Sequence, residues 1–356
     1  MSASVVGKPI GFRAWLLRVL ALGYPLSLLL IVLALRYIGE RWWLTTVLMY
    51  LPRKVFIIPL PFITLALLWL GPRRWLLTQV AAAGLLVFPL LGLRLSLPSS
   101  TQPGDTRIRV FSLNIASGNM GIDGIAAQIR AANPDLVLLQ EAWTDTGPRL
   151  RDLFPEYHFH LNGQLVVASR YPLVDAFEPP MIPLRGEPHS ARWLRCRVTL
   201  PGGQTVAVYD LHPLSPRDGF EDMRADGIRS QVLSGRILSN TKAWEAVQAN
   251  AELRLAQVQG AAEDASRSNE PVIMAGDTNL PGLSWALAHH LGRFQDGFSE
   301  AGNGLGYTFP ATKRPWMRID RILADGHFRF VSFSVITQRV SDHLAVVADL
   351  EFRPRR

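Results

Sequence analysis

Cysteine is nearly missing from this chain: of 356 residues, only Cys196 is one. That excludes an intrachain disulfide and a cysteine-rich zinc centre. It leaves the compartment open, because many extracytoplasmic proteins also lack disulfides. Cys196 stands in "RWLRCRVTL", an imperfect alternation of bulky and charged residues. No histidine or acid follows it at a suggestive spacing, so a packed strand thiol is expected rather than a nucleophile. Acidic residues are also nearly missing from the first hundred positions, where Glu40 stands alone against ten Lys/Arg. The net charge of +8 therefore belongs to that hundred, and the rest holds 27 basic and 28 acidic residues. Tight non-specific binding to a polyanion gets no support from so neutral a remainder. Internal repeats and low-complexity tracts are absent as well.

What fills the first hundred positions is apolar. "VLALGYPLSLLLIVLAL" (19–35), "VFIIPLPFITLALLWLGP" (55–72) and "WLLTQVAAAGLLVFPLLGL" (75–93) carry no charge. Each approaches the roughly 17–25 residues that cross a bilayer as a helix. Pro25, Pro59, Pro61 and Pro89 are tolerated in membrane helices, and Trp42, Trp43, Trp69 and Trp75 fall near the ends as interfacial aromatics do. Residues 1–100 are thus expected to form a membrane region with about three spans, in contact with the lipid bilayer. "WWLTTVLMYLP" (42–52) is too short to span and is expected to lie in the interface. No acid or histidine lies within the spans, which argues against a transporter. Flanking positive charges tie at five on each side. Because Lys8, Arg13 and Arg18 precede the first helix, an extracytoplasmic C-terminal domain on a bacterial inner or plasma membrane is the expected arrangement.

A linker is expected over 101–106, within the Ser/Pro/Gly-rich "SLPSSTQPGDTR", and a mixed α/β domain over 107–356. Strand candidates such as "IRVFSLNIA", "DLVLLQEAW", "TVAVYDLHPL" and "PVIMAGDTN" are near-continuously apolar, as strands covered on both faces are. "GIDGIAAQIRAANP" reads as an amphipathic helix ending near Pro134. Residues 213–249 read as an insertion in which Arg217, Arg224 and Arg229 could meet an anionic substrate.

The strands end in residues that strand packing does not need: Asn114, Glu141, Asp210 with His212, Asp277 with Asn279, Asp320, and then Asp342 with His343 before the last strand. In extended chain, residues two apart share a face, so Asp277 and Asn279 are expected to project together from the sheet edge. Any one of these is an ordinary turn or cap residue; their recurrence in strand order is not. Carboxylate and amide oxygens suit Mg²⁺ or Mn²⁺, and with histidines they form a kit for phosphoester hydrolysis.

The order "SLN…LLQE…DLHP…GDTN…IDRI…SDH" resembles the endonuclease/exonuclease/phosphatase superfamily over residues 107–352, with "ASRYPL" and "GYTFP" as secondary signatures. The resemblance implies a four-layer α/β sandwich, two packed mixed β-sheets flanked by helices, preceded here by the transmembrane region. It implies Glu141 as main metal ligand with Asn114 and Asp342 beside it, the cofactor being Mg²⁺ with Mn²⁺ as alternative. Asp277 would orient or deprotonate the attacking water, and Asn279 would hold the phosphate. His343, oriented by Asp320, would contact phosphate and act in acid/base work, with His212 as the second phosphate-facing histidine and Arg224 as a further substrate contact. Asp210 stands where a small polar residue is common, and either orients His212 or caps a loop. The abasic-DNA branch carries a tyrosine-based motif where "DLHP" stands, so that activity is not expected. The substrate would be a phosphoester: lipid headgroup, nucleic acid or small phosphate ester. No protein partner is implied. A non-catalytic membrane scaffold on the same fold is the alternative; it calls for a replaced site residue, and none is replaced.

Overall fold

The computed structural model describes residues 11–96, 106–143, 145–221 and 241–353. Arg224, Arg229 and nearly all of the expected linker lie outside the described residues. The chain divides into two compact units. One comprises residues up to 34 with 52–92; the other comprises 35–51 with 93 onward. The short stretch expected in the interface thus belongs, by its packing, with the C-terminal α/β unit.

In the first unit, helix α1 (Phe12–Tyr37) continues at its end into the second, where α2 (Trp43–Met49) follows. The chain returns to the first unit for α3 (Pro59–Leu70) and α4 (Leu76–Leu85). Leu17, Ala21, Ile63 and Leu67 pack together, while Leu30, Trp69 and Leu77 stay more than half exposed. Apolar side chains facing outward suit lipid rather than water. Two stretches, Phe12–Tyr37 and Arg53–Leu70, are long and apolar enough to cross a bilayer. The third expected span is shorter. After α4 the helix widens into a π turn over Leu86–Leu90, with Leu91 N–H bonded to Leu86 O at 2.8 Å. Pro89 lies inside that turn and has no N–H to continue the ordinary ladder.

The α/β unit begins with β1 (Arg107–Asn114), α5 (Ile122–Ala132), β2 (Leu136–Gln140), α6 (Thr146–Leu153), β3 (His158–Asn162) and β4 (Leu165–Ser169). It continues with β5 (Leu173–Phe177), the hairpin β6 (Ile182–Leu184) and β7 (Glu187–His189), β8 (Trp193–Thr199) and β9 (Thr205–Leu211). Then come α7 (Pro216–Gly219), α8 (Thr241–Arg267), β10 (Val272–Asp277) and α9 (Trp285–His289). The unit ends with β11 (Gln295–Asp296), α10 (Gly297–Ala301), β12 (Asp320–Ala324), β13 (Phe328–Val335) and β14 (Val346–Phe352). The end of the expected insertion is the first part of α8.

The two main sheets run β13-β14-β1-β2-β4-β3 and β11-β12-β10-β9-β8-β5. Each is mixed, with β1 parallel to β2 in one and β9 parallel to β10 in the other. Alternation sorts their residues into layers. Ile108, Val110, Leu136, Leu138, Val206, Val208, Ile273 and Ala275 meet between the sheets. Their neighbours Phe111, Leu113, Val137 and Leu139 face the other way and pack on α5, while Ala207, Tyr209 and Met274 pack on α8. The result is the four-layer sandwich. Both faces of each central strand are covered, which is why those strands lack a polar alternation.

Candidate active site

The same two-residue period that builds the inter-sheet core delivers the polar residues. Asn114 and Gln140 continue the inward rows of β1 and β2 and pair directly across them. Asp277 and Asp320 pair across β10 and β12 in the same way. The inward rows therefore leave the apolar core as a cluster of amides and carboxylates at one end of the sandwich. Gly276 makes the approach of β9 and β10 possible there. Its φ is 142°, and a Cβ at that position would lie 2.0 Å from Leu211 O.

Asp277 sits at the centre. Its Oδ2 accepts from Asn114 Nδ2 at 3.2 Å and lies 3.6 Å from Nε2 of both His212 and His343. Asn114 Nδ2 also donates to Glu141 Oε1 at 2.9 Å, so one amide joins two carboxylates. Its Oδ1 accepts from Ala116 N–H at 3.0 Å. Glu141 adopts φ 55°, an uncommon conformation for a side-chain-bearing residue, and turns its side chain, about one-third exposed, into the cleft. Asp342 lies on the same cleft, 3.5 Å from Arg217 Nη2. The Arg217 guanidinium stands 4.8 Å over the Phe309 ring, which packs at 4.7 Å on His343.

The two histidines differ in charge because they differ in partner. His343 Nδ1 donates to both oxygens of Asp320 at 3.0 Å. Burial works against its imidazolium, but Asp320 and Asp277 outweigh it and raise its pKa to about 10. For His212, burial wins: its pKa falls to about 4, with Asp277 opposing and Arg192 reinforcing. Its Nδ1 faces Gln164 Oε1 at 2.6 Å, so the neutral ring carries its proton on Nδ1 and presents a lone pair at Nε2. Burial raises the pKa of Asp277 as well, against the pull of His343.

Several sequence expectations change. Asp277 and Asn279 do not share a face through extended chain. The strand ends at Asp277, and Asn279 turns back with φ 50° and its N–H on Asp277 Oδ1 at 3.0 Å. Both still line the cleft. Asp210 neither orients His212 nor caps a loop. It is buried between the sheets one inward pair deeper, accepts from Gln140 Nε2 at 2.6 Å, and burial holds its pKa well above the usual carboxylate range. Gln164, not Asp210, orients His212; it sits in the turn between β3 and β4 and carried no sequence signal. Tyr50, from before the α/β domain, also lines the cleft.

The donor chemistry suits a hard divalent cation, with carboxylate and amide oxygens around Glu141, Asp277 and Asp342. Among the described residues, the tightest group of ligating atoms is Asp277, Asp320 and His343, within 4.8 Å of one another. It is not the expected set of Glu141, Asn114 and Asp342. The grouping reflects the Asp320–His343 hydrogen bond, which already occupies one histidine nitrogen and both Asp320 oxygens.

Comparison with known proteins agrees with the fold. No curated protein matches the chain. An endonuclease/exonuclease/phosphatase from Beutenbergia cavernae is similar at TM-score 0.50 and 20% identity, over 69% of this chain and 72% of its own. The D. rerio TDP2 structure complexed with a single-strand DNA product is similar at TM-score 0.51 and 16% identity, covering 69% and 100%. A Bacteroides thetaiotaomicron mannosyl-6-phosphatase gives 0.50 and 16%, again covering 69% and 100%. The sequence pattern of the Endonuclease/Exonuclease/phosphatase family matches residues 111–343, and the chain belongs to that family.

Proposed function

We propose that the chain is a membrane-anchored, divalent-metal-dependent phosphoester hydrolase. The observation that carries this is Asp277 Oδ2, 3.6 Å from Nε2 of two histidines of opposite charge preference. A buried carboxylate with a raised pKa is a competent proton acceptor for water. The protonated His343, fixed by Asp320, supplies a positive donor for phosphoryl oxygens, as the Asn279 amide does beside it. His212 Nε2, aimed by Gln164, accepts a proton or, once protonated against a phosphate's charge, donates one. Glu141, with Asn114 and Asp342, would hold Mg²⁺ or Mn²⁺, whose chemistry is to neutralise phosphate charge. The apolar stretches in 1–100 anchor the chain in the bilayer, with the hydrolase unit on the extracytoplasmic side. Arg217 beside Asp342 is the described cation placed for an anionic substrate; Arg224 is a further candidate. The solved relatives include a phosphatase and a protein holding a DNA product. The phosphoester is thus the shared feature, and lipid headgroup, nucleic acid and small ester are the classes to test.

The test uses the full chain in detergent, because residues 35–51 belong to the hydrolase unit. Bis(p-nitrophenyl) phosphate, supercoiled plasmid and phospholipid vesicles are offered with Mg²⁺ or EDTA. Turnover that requires metal and is lost in Asp277→Asn supports the proposal. A folded wild type that is silent on all three and binds no divalent metal overturns it in favour of a scaffold.

A further inference from the structure

The one acidic residue among the first hundred is buried in the hydrolase unit. Glu40 is 0% exposed. Its Oε1 accepts from the Ser284 hydroxyl, and its Oε2 from the N–H groups of Trp285 and Ala286 at 3.0 and 3.3 Å. Burying a carboxylate is costly unless donors replace water, and here three do. The fit is close. Gly39 has φ 54°, and a Cβ on it would meet Trp285 Cβ at 2.5 Å. The Arg41 guanidinium covers the Trp285 ring at 4.6 Å, and Trp43 stacks on Trp244 of α8 at 4.0 Å.

Ten residues later the same segment touches the site. The Tyr50 hydroxyl donates to the main-chain oxygen of Asn279 at 2.6 Å. Its ring lies 5.4 Å beneath the guanidinium of the fully buried Arg254, whose Nη1 donates to Leu214 O. The loop that leaves β10 with Asn279 at its start therefore has both ends held from one segment, at Asn279 by Tyr50 and at Ser284–Ala286 by Glu40. Asn279 is in a left-handed conformation that asparagine adopts at a cost, so its placement needs such support. Its own Nδ2 is bound to Pro213 O at 3.0 Å.

We infer that residues 38–51 are a working part of the active site, with Tyr50 and Glu40 as positioning residues that fix the Asn279 loop. The inference rests on the hydrolase reading for its kinetic consequence, while the clamp itself is measurable without turnover. The experiment uses full-length protein in detergent, as wild type, Tyr50→Phe, Ser284→Ala, Asn279→Ala and the double variant Tyr50→Phe/Asn279→Ala. Hydrogen exchange over 279–287 is read alongside kcat, KM and Tm. Tyr50→Phe is expected to speed exchange in that loop and to lower kcat about tenfold, the scale of one lost hydrogen bond. KM and Tm should stay near wild type, and the same change in the Asn279→Ala background should cost nothing further, because coupled residues are not additive. Ser284→Ala, which keeps Glu40 but removes its hydroxyl donor and the cap on Leu287 N–H, should speed exchange at Trp285 and Ala286, the amides that Glu40 holds, and not only at Leu287. Unchanged exchange in both variants overturns the clamp. An equal kcat loss with and without Asn279 overturns the positioning role. Faster exchange in a protein whose wild type turns over none of the three substrates and binds no divalent metal keeps the clamp and overturns the hydrolase reading.

Discussion

Replacing Asp320 by Asn removes one charge and keeps the shape of the site, so its effect can be worked out from His343. The imidazole is buried and its Nδ1 faces both Asp320 oxygens at 3.0 Å. Burial alone lowers its pKa; Asp320, then Asp277, bring it to about 10 against an ordinary 6.5. Each pH unit of that rise is worth about 1.36 kcal/mol, so up to about 5 kcal/mol of stability is tied to the charged pair. The sign follows from the folded value being the higher one. The contribution is complete below the unfolded value near 6.5 and is lost as pH rises through about 10. Denaturant unfolding in EDTA should therefore show wild type losing stability between pH 6.5 and 10, and Asp320→Asn should flatten that slope. The His343 ring, followed by NMR, should titrate at lower pH in the variant. An unchanged slope and an unchanged ring titration would refute the dyad argument.

Three further outcomes follow from the same geometry. Asp277→Asn and Glu141→Gln should each lower turnover by about three orders of magnitude with the circular dichroism spectrum retained, since both side chains line the cleft. Glu141→Gln should also weaken Mg²⁺ binding in a calorimetric titration. Asp296→Asn should destabilise the α/β unit by about 3–5 kcal/mol in urea, because Arg321, 0% exposed, loses the carboxylate 2.6 Å from its Nη1. Burial opposes the Asp296 charge, but Arg318 and Arg321 hold its pKa at about 2. The wild-type pair's stability is thus present above pH 3.8 and fades as pH falls through about 2. Gly276→Ala should yield little folded protein on expression, its Cβ having only 2.0 Å to Leu211 O.

The sequence by itself determined the class of the fold and the residues that end its strands. Period and apolar runs are local properties, so β1, β2, β9 and β10, with Asn114, Glu141, His212 and Asp277 at or just beyond their ends, could be read from spacing alone. Long uncharged runs likewise marked the apolar N-terminal hundred. Partners in space are not local. That Gln164 rather than Asp210 aims His212 depends on β4 of one sheet facing β9 of the other. That Asp210 is buried follows from its standing one inward pair deeper than Asp277, a register fixed by strand pairing. Pro89 lies in a π turn that closes a helix hydropathy alone read as one regular span. The isolation of Glu40 was visible from the start, yet its meaning was not, because only tertiary packing brings residue 40 to residue 284 and Tyr50 to Asn279. A sequence states which groups exist and how often they recur; the hydrogen bonds that satisfy buried ones are made between distant segments, and only the folded chain decides which.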